Sequence, residues 1–162
     1  MSGTTGTPAM DDASLAWTAD RAHLAGSAPY EASAGYARAV RVGPFVYVAG
    51  TTGLGDDGRV VPGGAYAQAR RAFDIVVGAL RRAGAGPGDV VRTRLYVTSA
   101  EFAADAARAH FETFGAVRPA ATLVVVAGLI DPAMLVEVEA DAVVSTVADT
   151  PGDSAATALG AR

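Results

Sequence analysis

From Tyr36 to Val42 the chain alternates between small or apolar and polar positions, "YARAVRV", and Phe45 to Gly50, "FVYVAG", continues in the same manner. A period of two predicts two half-buried strands, and Val42-Gly43-Pro44 predicts the tight turn between them. The stretch "TTGLGDDGRVVPGG" is broken by glycines and reads as a loop. The period then changes. Tyr66, Phe73, Val76, Val77 and Leu80 fall on one helical stripe, with Arg70, Arg71, Arg81 and Arg82 elsewhere, which predicts a helix over about 65–83. Gly84 and the following "AGPG" stop it. "DVVRTRLYVT", Asp89 to Thr98, returns to a period of two. Val91, Thr93, Leu95 and Val97 are expected in a core under helices, and Arg92, Arg94, Tyr96 and Thr98 on the opposite face. Ser99 is placed to cap a second helix that runs to about Phe114.

The last patterned stretch, "VRPAATLVVVAGLIDPAMLVEVEADAVV", reads as a hairpin of two strands. Its first strand, Ala120 to Ala127, has no charge, and its second carries Glu137, Glu139 and Asp141. The order β-β-α-β-α-β-β predicts an α+β domain with two helices on one face of a mixed sheet. Tyr47, Tyr96, Leu123 and Val125 are expected on the other face, and an apolar sheet face on so small a domain implies burial in an oligomer. Residues 1–20 and 146–162 are small and polar, and are read as disordered segments around one domain spanning 21–145.

Composition narrows the chemistry. The chain has 162 residues, 51% of them hydrophobic, enough for one domain with a sizeable core. Its formal net charge is −4 and its basic side chains are all arginine, without a clustered run, which argues against nucleic acid as a partner. With 0 cysteines there is no thiolate catalysis, no disulfide and no cysteine-held metal. His23 and His110 are too few for a histidine-based zinc site without carboxylate help. No apolar run approaches the roughly 20 residues of a membrane span. The N-terminus lacks the charged start and apolar core of a signal peptide, so a cytoplasmic protein is expected.

Several segments occur together in a recognisable order: "GYARAVRVGPFVYVAGTTG", "AQARRAFDIVVGALRRAGAGPGDVVRTRLYVT", "RPA" and "LVEVEADAV". Over about Tyr36 to Val144 the chain resembles the YjgF/Rid superfamily, the reactive-intermediate (enamine/imine) deaminases and their relatives. That resemblance implies a chorismate-mutase-like fold and a homotrimer whose sheets enclose a central barrel, with sites in the clefts between subunits. It also implies that an Arg after "PA" grips the carboxylate of a 2-imino or 2-enamino acid, while a Glu of the final strand and a water assist hydrolysis to the keto acid and ammonia. No metal or organic cofactor is implied.

Carried over residue by residue, the resemblance puts the family's Tyr on Tyr36, its strand-closing Gly on Gly50 with Thr51 next, and its final-strand Glu on Glu139. The carboxylate-gripping Arg falls on Ala121. Leu123 and Val125 take a polar or cysteine position and a commonly acidic one, and they share one strand face with Ala121. A methyl group cannot replace the bidentate grip of a guanidinium. Arg118, Arg38 and Arg94 are the candidates for a substitute anchor, against a reading as solvated or ion-paired arginines. Glu139 is either a proton-transfer residue or a structural carboxylate, and Glu137 on the same face is expected in a salt bridge. Tyr36 either lines the site or packs an interface, and Gly50 either presents backbone N–H groups or makes a turn. His110 is expected as a half-buried packing residue. The expected function is a divergent Rid-type activity on a small organic molecule, by imine or enamine hydrolysis or a related acid/base step in a specialised biosynthetic pathway. The alternative is a non-catalytic, ligand-binding or regulatory trimer.

Overall fold

A computed structural model describes residues 21–26 and 31–145. The expectations for 1–20 and 146–162 lie outside these residues. The helix and the central strands form where the periodicity places them. Strand β2 (Ala39–Val42) and strand β3 (Phe45–Thr52) are an antiparallel hairpin with Val42 opposite Phe45. Gly43 adopts φ +55° in the turn, a conformation that glycine reaches without steric cost. Helix α2 (Gly64–Arg82) buries Ala69, Ala72, Phe73, Val76 and Leu80. It ends at Gly84, φ +75°, where the Ala85 N–H bonds the Leu80 carbonyl. Strand β4 (Val90–Val97) leads through a short 3-10 turn, on which the Ser99 hydroxyl accepts from the Glu101 N–H, into helix α3 (Ala103–Phe114).

Two short elements precede the expected ones: strand β1 (Arg21–Leu24), which pairs with β2, and a single-turn helix α1 (Glu31–Ala34). Tyr36 therefore lies in the connection ahead of β2 rather than within the strand. Strand β5 (Ala120–Val125) and strand β6 (Val136–Val143) complete a six-stranded sheet of order β1-β2-β3-β6-β4-β5.

The expected hairpin of β5 and β6 does not form. Strand β5 pairs in parallel with β4, reached through α3 as a crossover, and takes the sheet edge. Strand β6 instead runs antiparallel to both β3 and β4 and joins them. Its alternation is complete: Val136, Val138, Ala140 and Ala142 are buried beneath the helices, and Glu137, Glu139 and Asp141 face the other way. Thr93, Leu95 and Val97 are buried as expected, but Val91 is 48% exposed. The β4–β6 register shifts between Val90 and Arg92, and this bulge hands the core position to Val90. The open face carries Phe45 and Tyr47, both about half exposed, beside the charged pairs of Arg94.

Candidate functional site

The hairpin of β2 and β3 pairs as far as Ala39 opposite Val48, and the Ala49 N–H then donates to the Arg38 carbonyl at 3.0 Å. Beyond that point β3 continues without β2, and its register with β6 shifts between Val48 and Thr51. A notch is left at Gly50. An added Cβ at Gly50 would lie 2.2 Å from Glu137 Oε1, so the carboxylate of Glu137 occupies the space that a side chain would need.

The notch opens into a cleft of about 790 Å³. Its floor holds Gly26, Arg38, Gly50, Thr51 and Glu137, Tyr36 stands at its rim, and its helix side presents Arg71, Ile75, Gly78 and Arg82 of α2. Buried Arg38 organises the floor. Its Nη1 donates to the Gly50 carbonyl at 3.0 Å and to Thr51 Oγ1 at 2.7 Å, while Nε and Nη2 donate to Glu31 Oε1 at 3.2 and 3.0 Å. Thr51 passes its own proton to the Ala49 carbonyl at 2.7 Å. The second oxygen of Glu31 accepts the Gly26 N–H at 2.6 Å. The ends of β1, α1 and β2 are thus tied to the edge of β3 through one guanidinium.

Glu137 stands apart from this network. Among the described residues none bonds or pairs with its carboxylate. Burial raises its pKa from the ordinary carboxylate value, the charge of Glu139 raises it further, and Arg38 lowers it in part. A carboxyl raised in this way accepts a proton more readily than an exposed carboxylate, which suits it to proton transfer. The salt bridge expected for Glu137 is absent among the described residues.

The structure brings Tyr36, Gly50 and Thr51 together, with Tyr36 exposed at the rim. It does not place Glu139 with them. Glu139 accepts from Arg94 at 3.2 Å and from the Tyr96 hydroxyl at 3.3 Å on the open face, where Arg94 also pairs with Asp141 at 3.3 Å. Arg94 is therefore committed, and burial together with Glu139 raises the pKa of Tyr96. Ala121, Leu123 and Val125 do share a face. It is the helix side, because they sit opposite Thr93, Leu95 and Val97, and Leu123 packs against the core. Within one chain they lie at the far sheet edge from β2 and do not line the cleft. Arg118 is exposed ahead of β5 at φ +57°, also away from it.

His110 packs edge-on to Phe73, with ring centroids 5.8 Å apart, and its Nε2 is 2.8 Å from the buried Thr93 hydroxyl. Burial lowers its pKa. Its place is between α3 and the sheet, as a packing residue. The pairing of Glu31 with Arg38 had no local signature, since the two residues belong to different elements joined only by the fold.

Residues 26–144 match the family model described as Endoribonuclease L-PSP. An uncharacterized protein of Streptomyces coelicolor is 43% identical over 114 residues, covering 70% of this chain and 85% of that protein. A RutC family protein of Pyrococcus abyssi is 32% identical over 106 residues, 65% of this chain and 83% of its own. The crystal structure of a member of the YjgF/YER057c/UK114 family from Mycobacterium tuberculosis superposes with a TM-score of 0.69 at 45% identity, covering 76% of this chain and 99% of that one. A RidA structure from an Antarctic Psychrobacter superposes with a TM-score of 0.65 at 25% identity, covering 75% and 94%. Family model, sequence identity and superposition agree: the chain belongs to the YjgF/Rid superfamily.

Proposed function

We propose that the chain processes a small organic molecule in the cleft at Gly50, by hydrolysis of an imine or enamine or by a related acid/base step, with Glu137 as the proton-transfer residue. The observation that carries this reading is the seating of Glu137: a half-buried carboxyl with a raised pKa, free of ion pairs among the described residues, over a glycine at the floor of a cleft. In the hydrolytic version Glu137 takes a proton from water as its oxygen adds to the C=N carbon. It then returns the proton to nitrogen as the C–N bond breaks, so that an iminium and water give a carbonyl compound and ammonium. Tyr36 at the rim and Thr51 on the floor orient the ligand.

The test is ammonia release from imines generated in situ. Glu137→Gln is expected to lower the rate by roughly 10²- to 10⁴-fold. An unchanged rate sinks the assignment of Glu137. Absence of turnover in wild type, with a ligand still bound, would support the non-catalytic binding reading instead.

The open sheet face supports a homotrimer as part of the same proposal, since Phe45 and Tyr47 expose rings next to the Arg94 ion pairs. Light scattering on the full chain should return three times the 16.3 kDa chain mass; a monomer would refute it.

A further inference from the structure

Three arginines line the cleft, and their charges are unequally available. Arg38 is buried and its guanidinium is divided between Glu31, the Gly50 carbonyl and Thr51 Oγ1. The pair with Glu31 is neutral as a unit, and Glu31 is itself held by the Gly26 N–H. Buried pairs of this kind return little net stability, because the ions lose their hydration. Locally, the pair fixes the Gly50–Thr51 edge and draws off part of the charge that Arg38 would offer a ligand. Arg71 donates to the Leu54 carbonyl and pairs with Asp56. Arg82, exposed in the last turn of α2, has no ion pair among the described residues.

Against these cations stands Glu137, half-buried and without an ion pair among the described residues. The inner end of the cleft therefore carries a carboxyl that Arg38 compensates only in part, and the unpaired positive charge of Arg82 lies at the solvent side. A carboxylate on the reacting carbon would sit beside Glu137 with no unengaged cation among the described residues of this chain to receive it there, an arrangement that like-charge repulsion and desolvation both oppose. A protonated nitrogen there meets the opposite situation.

Building on the acid/base reading of this cleft, we infer that its ligand is a nitrogen cation, an iminium or ammonium whose reacting carbon bears no carboxylate, with the N–H directed at Glu137 and any acid group displaced toward Arg82. For an iminium the balanced step is R₂C=NH₂⁺ + H₂O → R₂C=O + NH₄⁺. The supplying reaction is then an oxidation of an amine rather than of an amino acid.

The experiment uses the full chain and matched imines with the same side chain, one formed by an amine oxidase from a primary amine and one by an amino-acid oxidase. The amine-derived imine is expected to be consumed with kcat/KM higher on the order of tenfold or more; preference for the 2-imino acid overturns the inference. A second arm measures binding of propylammonium and of propanoate by calorimetry. Wild type should favour propylammonium, and Glu31→Gln, which releases the Arg38 charge, should shift preference toward propanoate. Tighter propanoate binding by wild type, or no shift in a folded Glu31→Gln, overturns it. If Glu31→Gln does not fold, the wild-type binding pair decides alone. The two readings fail separately: Glu137→Gln with undiminished turnover refutes the proton-transfer role, while the binding preference tests the ligand class without any turnover.

Discussion

Gly50→Ala isolates the seat of Glu137 from its chemistry. The new Cβ would stand 2.2 Å from Glu137 Oε1 and 3.1 Å from its Cδ. Non-bonded heavy atoms settle near 3.5 Å or more, so the carboxylate must retreat by more than about 1 Å. The atoms in the way are the far end of a flexible side chain, so rotation of Glu137 relieves the contact and the backbone stays in place. The added methyl stiffens a strand position by about 0.5–1 kcal/mol in favour of folding, and the half-buried charge moves toward water. The Tm should stay within about 4 °C of wild type or rise. Activity should fall by roughly 100-fold, the usual scale for a reacting group displaced by an ångström. Thermal melting and imine hydrolysis measured on the same preparation check both halves. Wild-type activity in Gly50→Ala would refute the argument that Glu137 works from the notch. Loss of folding would show that the contact is borne by backbone rather than by a mobile side chain.

Four further outcomes follow from the packing and the charges. Glu137→Gln should raise Tm at neutral pH: burial raises the folded pKa of Glu137, so its favourable share exists below the unfolded pKa and is lost as pH rises through the folded one. A lower Tm for this variant at pH 7 would contradict that sign. His110 has the opposite sense, since burial lowers its folded pKa, and its stabilising share holds above about pH 6.5 and fades as pH falls through the folded pKa. Wild type should lose Tm relative to His110→Gln below that pH, and parallel profiles would refute it. Phe73→Ala removes a ring that is 1% exposed and packed against Phe114, and should cost about 3–5 kcal/mol in denaturant titration. Gln68→Ala releases the Ala133 carbonyl and the Leu135 N–H, held at 3.0 and 2.8 Å; a loss of about 1–3 kcal/mol and faster hydrogen exchange at Leu135 are expected.

The sequence carries those parts of the fold that depend on local period. The helical stripe through Phe73, Val76 and Leu80 and the alternation of β3, β4 and β6 all appear where side chains alone would place them. What it hides is partnership between distant segments. Strands β5 and β6 follow each other and invite pairing, yet β5 binds the far side of β4 and β6 fills the space between β4 and β3. Strand β1 and helix α1 span four residues each, too few for a period to show. The candidate site shows the same division. Tyr36, Gly50 and Thr51 line one cleft. Glu137 and Glu139, two residues apart on one face, cannot be told apart by period. Long-range register separates them: Glu137 lies opposite Thr52 beside the notch, whereas Glu139 lies opposite Arg94. Likewise Val91 leaves the core because of a bulge that alternation alone cannot reveal.

The position of β6 also bears on how the chain is made. Among the described residues it is the last strand in sequence and the one strand hydrogen-bonded to both β3 and β4. Until it leaves the ribosome, the ribbons β1-β2-β3 and β4-β5 share no sheet hydrogen bonds, and each presents a raw edge at the place that β6 will fill. Closure must therefore wait for nearly the whole domain, a long-range step of the kind that slows folding and leaves chains open to misassociation. Glu137 arrives in that same strand. A chain that has not closed its sheet cannot have a working cleft, so completion of the core and acquisition of chemistry coincide in a single late event of synthesis.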